Sequence, residues 1–356
     1  AVTTARQETD GWTLRRLLTD VMGSGPKSAD DMTYEQARGA MEQVLDGAAD
    51  PTTLGAFLLA ARWKVNTPEE LAGFLDAVRE RVAVAGPAAD PVDCGANYDG
   101  KRETALLGVA AGAVSAAAGV PVVVHSAGRV PAKAGDAYRH VLDALGVETD
   151  LDPAASARMV DETGFGFYSQ PRFAPALHAL VDRRRAMGVR TPINTVETLA
   201  NPAAASVHLG SFFHLSYGKR LVETVAASRT LDVERVLLLQ GLEGYDDVRP
   251  GRTALVEWND GSVDDRRVET AELGMDLGRG DLAVEDVAAD SAAITEAVLA
   301  GERRDGFADA VALNAALRVY AGGGAGSIEA GLERARDALA DGSGAGVLAA
   351  VRGFEP

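Results

Sequence analysis

Three loops concentrate the residue types that handle charge. The first, Gly95-Ala96-Asn97-Tyr98-Asp99-Gly100, is followed by Lys101 and Arg102. It joins a short strand to a helix, so its backbone amides and the helix dipole suit an anion, with the two cations adding charge. The same residues also make an ordinary surface turn around Asp99-Gly100. The second loop, residues 125–135, carries His125, Arg129 and Lys133. It offers another anion site, or else His125 caps the sheet end while the cations stay solvated. The third, Glu243-Gly244-Tyr245-Asp246-Asp247, holds two adjacent carboxylates. Asp246 and Asp247 could hold Mg²⁺, which binds through one or two carboxylates plus phosphate oxygens; solvated surface is the plain alternative. Arg183-Arg184-Arg185 places one arginine where it could face a cleft and meet a carboxylate or phosphate.

The elements around these loops follow from periodicity. Apolar residues at helical spacing in 12–48, then Asp50-Pro51 and Thr67-Pro68-Glu69-Glu70 as helix starts, predict four successive helices ending near residue 84. Residues 92–95, 120–124 and 236–239 read as strands, the last two β-branched or leucine runs of the kind buried on both faces. Residues 104–118, 137–145 and 175–187 read as helices, and 253–258 with 262–268 as a strand pair around Asn259-Asp260-Gly261. The tail reads as helices over 292–300, 307–320 and 327–340, broken at Gly322-Gly323-Gly324. In an open α/β sheet, ligands lie beyond the carboxyl ends of the strands, so the loops after 92–95 and 120–124 are expected to converge.

Composition narrows the function classes. The 356 residues carry 52 acidic against 35 basic side chains, a net charge of −17. Only five of the basic residues are lysines. A dispersed negative field repels a polyanion, which argues against nucleic acid as a partner. It suits either a high-salt (halophilic) source or an ordinary acidic protein. The single cysteine, Cys94, excludes a disulfide framework and Cys-rich metal sites. The opening AVTTARQETDGW shows no signal-peptide pattern, and no apolar run reaches transmembrane length, so a cytoplasmic protein is expected.

In order, these pieces resemble the anthranilate phosphoribosyltransferase family (glycosyltransferase family 3). The landmarks are 54–62 with 67–73, Gly164-Phe165-Gly166-Phe167, Arg190-Thr191-Pro192-Ile193-Asn194, Asn201-Pro202-Ala203 and 308–316. The resemblance implies a helical domain over 1–85, joined by helices from about 168–192. It places an α/β domain with a central, mostly parallel sheet over 86–165 and 193–356. It also implies a homodimer formed through the helical domain. The motifs depart from the family pattern. The family's G-T-G-G-D-G loop keeps its outer Gly95, Asp99 and Gly100 here but has Asn97 and Tyr98 in place of glycines. Its N-x-S-T segment is replaced around 105–109, and K-H-G-N becomes Val124-His125-Ser126-Ala127. The metal-binding acidic pair corresponds to Asp246-Asp247, and the arginine associated with anthranilate recognition to Arg184.

The resemblance therefore implies a divergent paralogue rather than the tryptophan-pathway enzyme. Its expected ligand is a phosphorylated ribose or nucleoside-like compound, gripped by Gly95, Asn97, Asp99, Gly100, Lys101, Arg102, His125, Arg129 and Lys133. Arg184 would orient the acceptor, and Mg²⁺ would sit on Asp246 and Asp247. The alternative is a paralogue that kept the fold for ligand or nucleic-acid binding and lost catalysis.

Overall fold

Four capped helices come first among the described residues: α1 (Leu14–Asp20), α2 (Tyr34–Leu45), α3 (Pro51–Trp63) and α4 (Pro68–Arg79). Thr33 with Gln36, and Thr67 with Glu70, close reciprocal capping boxes, while Asp50 accepts from the amides of Thr52 and Thr53. The computed structural model describes residues 11–356 apart from Ser24, Ala48, Pro131 and Asp260. Most of the N-terminal stretch read for a leader, and the middle residue of the Asn259–Gly261 turn, thus lie outside the described residues. Helices α2 and α4 touch backbone to backbone at Gly73, where a Cβ would stand 2.5 Å from the Tyr34 carbonyl oxygen. Asp76, also on α4, anchors this layer to the rest of the molecule. It accepts from the Tyr34 hydroxyl at 2.6 Å, the Arg229 amide at 2.7 Å and the Thr230 hydroxyl at 2.7 Å.

A seven-stranded sheet follows, in the order β3-β2-β1-β4-β5-β6-β7. Strands β1 (Val92–Gly95), β2 (Val122–Ser126), β3 (Phe165–Ser169), β4 (Val207–Phe212) and β5 (Arg235–Gln240) run parallel. β6 (Arg252–Asn259) and β7 (Ser262–Glu269) add an antiparallel hairpin. β7 is the outer edge, and Asp264, Asp265, Arg266 and Arg267 on it are all exposed. Alternation along β5 feeds two cores. Leu237 and Leu239 join the small-residue helix α5 (Gly108–Ala117) and the C-terminal helices, while Val236 and Leu238 face the N-terminal helical layer.

The remaining helices are α6 (Tyr138–Ala144), α7 (Pro153–Thr163), α8 (Gln170–Phe173), α9 (Pro175–His178), α10 (Val181–Met187), α11 (Ile193–Val196), α12 (Leu215–Ala227), α13 (Val287–Leu299), α14 (Gly306–Ala321), α15 (Ile328–Ala340) and α16 (Ser343–Arg352). The expected fold class, a helical bundle beside an α/β domain with a mostly parallel sheet, is the observed one. Its detail differs in three places. β3 and β4 do not appear in the sequence reading, because Gly166, Gly210 and His208 interrupt the β-branched runs by which buried strands are recognised. The helix expected over 175–187 is two, α9 and α10, divided at Ala179-Leu180. α16 is an additional C-terminal helix. Among the described residues no helix is long and apolar enough to cross a membrane.

Two outcomes follow from the layer contacts. Gly73→Ala forces α2 and α4 apart and is expected to cost about 1–3 kcal/mol, read as a lower midpoint in urea unfolding. Burial pushes the Asp76 carboxyl up, but Ser228, Tyr34, Arg229 and Thr230 hold it below the ordinary range. A depressed folded pKa gives stability that is present above the usual carboxylate pKa and lost as pH falls through the folded value. The wild type should therefore lose more stability than Asp76→Asn between pH 6 and about pH 3; equal losses would refute the anchor.

Candidate functional site

At the carboxyl ends of β1 and β4 a cleft of about 460 Å³ opens between the sheet and the helical layer. Gly95, Asn97, Asn194, Thr198, Ser211 and Phe213 line it. Its charges are one-sided. Arg62 at the end of α3, Lys133, Arg190 and Arg220 all line it, with His214 beside them. Arg62 and Arg220 have no ion-pair partner among the described residues. Burial, and then repulsion from Arg190, lower the Arg62 pKa. Arg190 gives its Nε to Asp99, while its Nη2 is buried without a hydrogen-bond partner. The one acid in the lining, Glu243, is already engaged. Its carboxylate accepts from the amides of Arg102 and Thr104, both at 2.9 Å, and from the Thr104 hydroxyl at 2.7 Å.

Four of the six non-glycine residues with positive φ lie at or beside this cleft, and the other two, Asn201 and Ala204, line the second cavity described below. Val65 (φ 65°) and Glu243 (φ 56°) line the cleft in the left-handed region, and Ala132 (φ 99°) and Ala134 (φ 52°) flank Lys133. Such conformations cost of order 1–3 kcal/mol each and cluster at functional sites. A second cavity of the same volume lies at the amino ends of β1, β4 and β5. Its lining includes Asp90, Asp232 and Glu234, and its Arg79 is engaged by the carbonyls of Ala200 and Thr230. Charge and sheet topology both favour the first cavity as the anion site.

Of the residues expected to grip a ligand, Gly95, Asn97 and Lys133 line the cleft. Asp99 is buried and works indirectly, accepting from Asn194 Nδ2 at 3.0 Å and from Arg190. Gly100 (φ 74°) presses on the backbone of Gly135 and Asp136, where a Cβ would clash at 2.5 Å. Tyr98 is buried against Ala127 and Val130, filling the space beneath the second loop.

The other expected contacts give way, each for a physical reason. Lys101 is fully buried, with its ammonium 2.8 Å from Asp247 Oδ2 and 2.6 Å from the Ala105 carbonyl oxygen. Arg102 is exposed and lies outside the lining. Arg129 is exposed, pairs with Asp136 at 2.5 Å and lies outside the lining. His125 is buried beneath Tyr98, whose hydroxyl meets its Nδ1 at 2.5 Å. Its Nε2 lies 3.4 Å from Asp93 Oδ1, and His208 Nδ1 lies 2.9 Å from Asp93 Oδ2. Burial pushes the Asp93 carboxyl up, yet the two imidazoles hold it far below the ordinary range. Arg184 does not reach the cleft. It is buried and makes two 2.8 Å bonds to Glu197 inside the protein, through Nη1 and Nη2.

Asp246 and Asp247 are buried and likewise occupied. Asp247 is held by Lys101, by the Leu107 amide at 3.3 Å and by Asn314 Nδ2 at 3.4 Å. Asp246 Oδ2 takes the Arg318 guanidinium at 2.8 Å and the Tyr138 hydroxyl. Only Asp246 Oδ1 lacks a partner, and no cluster of three or more acidic, histidine or cysteine side chains suited to a metal exists among the described residues. Mg²⁺ binds through one or two carboxylates that face it, and here three of the four oxygens already accept from Lys101, Arg318, Tyr138, the Leu107 amide and Asn314. The two carboxylates do not fit the ion.

Family models place the chain. "Glycosyl transferase family, helical bundle domain" matches residues 21–82 and "Glycosyl transferase family, a/b domain" residues 93–345. The chain belongs to this glycosyl transferase family. It is 36% identical over 322 residues to the anthranilate phosphoribosyltransferase of Thermomicrobium roseum, covering 88% of this chain and 90% of that protein. It is 32% identical over 331 residues to that of Natronomonas pharaonis, covering 92% and 97%. The solved enzyme from Thermus thermophilus superposes with a TM-score of 0.80 at 28% identity, over 91% of this chain and 96% of that one. The Saccharomyces cerevisiae structure in complex with PRPP and Mg gives 0.77 at 17% identity over 95% of each chain, a likeness of fold.

Arg62, Arg190 and Arg220 are not among the ligand contacts expected from sequence. Arg62 and Arg190 belong to the landmark segments 54–62 and 190–194, so cations bounding those segments are the available signal; Arg220 gives none. The Arg184–Glu197 pair yields a direct outcome. Glu197→Ala strands a buried guanidinium and should cost about 3–5 kcal/mol, whereas the double change Arg184→Met, Glu197→Leu should recover most of it in urea unfolding.

Proposed function

We propose that this protein is a divergent phosphoribosyltransferase-like member of its family that binds a small phosphorylated ribose or nucleoside-like ligand in the cleft. The reading excludes the anthranilate reaction. One observation carries it: the arginine corresponding to the anthranilate-binding position is consumed by Glu197, while other cations, Arg62, Arg190, Arg220 and Lys133, converge on the cleft. Charge-assisted hydrogen bonds of about 1.5–3 kcal/mol each from such groups suffice to hold a phosphate. Transfer from a pentose would pass through an oxocarbenium-like state, for which the cleft supplies positioning and neutralisation of the departing oxyanion. Support for the wider class comes from the relatives, which are anthranilate phosphoribosyltransferases, and from the yeast structure that holds PRPP. The family resemblance extends the proposal to a homodimer through the helical layer.

Thermal denaturation with ribose 5-phosphate, ribose 1-phosphate and phosphoribosyl pyrophosphate, at low and molar salt, tests the reading. A ligand at ten times its Kd stabilises by about 1.4 kcal/mol. The expected result is a melting-temperature rise with a phosphorylated ribose that disappears in Arg220→Ala and Lys133→Ala. Anthranilate fluorescence should stay constant in the presence of phosphoribosyl pyrophosphate. Absence of any shift at millimolar ligand, or consumption of anthranilate, would overturn the proposal.

A further inference from the structure

The acidic pair after β5 reads in sequence as a place for a divalent cation, and the structure fills that place with the protein's own charges. Lys101 reaches Asp247 from the loop after β1, across 146 positions of sequence. Its backbone is pinned by reciprocal bonds with Asp136, Lys101 N to Asp136 O and Asp136 N to Lys101 O, both 2.9 Å. Arg318 reaches Asp246 from α14 and also donates to the Asn314 carbonyl at 3.0 Å. All four charged side chains have no solvent exposure. Two negative and two positive charges cancel in a dry interior, where a further dication would meet no net attraction and would have to displace both partners.

We infer that Lys101, with Arg318, is a built-in substitute for the divalent metal at Asp246 and Asp247, so that this protein works without one. The ligand class follows. A phosphate monoester, which arginine and lysine neutralise directly, suits such a site, and a pyrophosphate presented as its magnesium chelate does not. The ligand class rests on the cleft reading above; the metal assignment does not, and it is tested without ligand, so the two can fail separately.

The test is a Mn²⁺ titration of the EDTA-treated full-length protein, followed by electron paramagnetic resonance of the free ion, with melting temperatures in EDTA and in millimolar Mg²⁺. The wild type is expected to leave the free Mn²⁺ signal undiminished and its melting temperature unmoved. One Mn²⁺ bound per chain, abolished by Asp247→Asn, would overturn the inference. Lys101→Ala opens the carboxylate pair, so it should gain Mn²⁺ binding and a metal-dependent rise in melting temperature. A folded Lys101→Ala that binds no Mn²⁺ would refute the claim that Lys101 stands in the cation's place. If that variant folds only with metal added, the gain is read from its refolding yield, and if it folds under neither condition the wild-type titration decides alone.

Discussion

Charge buried away from water must be met by opposite charge, and this single requirement organises the loops above the sheet. Placing an ion in the interior costs several kcal/mol even after relaxation. Asp247 therefore holds Lys101, Asp246 holds Arg318 and Glu197 holds Arg184, while Asp93 lies between the rings of His125 and His208. Most of these pairings join segments far apart in sequence. Together with Glu243, which caps the amides of Arg102 to Thr104, they stitch the loop after β1 to the loop after β5. The cleft keeps its shape because the acids and bases beneath it are used up. Of the cations facing it, Arg62 and Arg220 have no acid opposite them among the described residues, and Arg190 shares Asp99 but keeps a buried Nη2 without a hydrogen-bond partner.

That division explains what could be read from sequence. Helix starts such as Thr33-Tyr34-Glu35-Gln36 and Thr67-Pro68-Glu69-Glu70 are local chemistry and appear where expected. So do Val122-Val123-Val124 and Val236-Leu237-Leu238-Leu239, whose composition alone marks a strand buried on both faces. β4, reading Val-His-Leu-Gly-Ser-Phe, has no such mark, since its residues are chosen by neighbours: Gly210 lies against the His208 ring and Leu238. The site shows the same limit. Whether a lysine binds a ligand or a carboxylate depends on what arrives opposite it, and the partners of Lys101 and Asp246 sit 146 and 72 positions away. Lys133, held by a strained loop and with only the Glu243 carbonyl at 3.3 Å, stays available.

The acidity of the chain and the basicity of the cleft act over different distances. The net charge of −17 sets a long-range field that salt screens within about 10 Å at 0.1 M. Arg62, Arg190 and Arg220 line the cleft, and on the proposed reading they would act on a bound anion by contact, where screening is weak. Long polyanions meet the field first; a compact anion that fits within the walls meets the guanidinium groups. On the proposed reading, selectivity by size would be a by-product of the charge distribution.

The outer strand β7 has a bearing on assembly. An open sheet edge is a template onto which another chain can add. Here the edge strand is exposed nearly throughout and bears Asp264, Asp265, Arg266 and Arg267 in succession. A polypeptide laying itself alongside would have to match that pattern of signs or strip water from unmatched charges. Charged side chains of this kind are one means by which an open edge strand discourages further strand pairing.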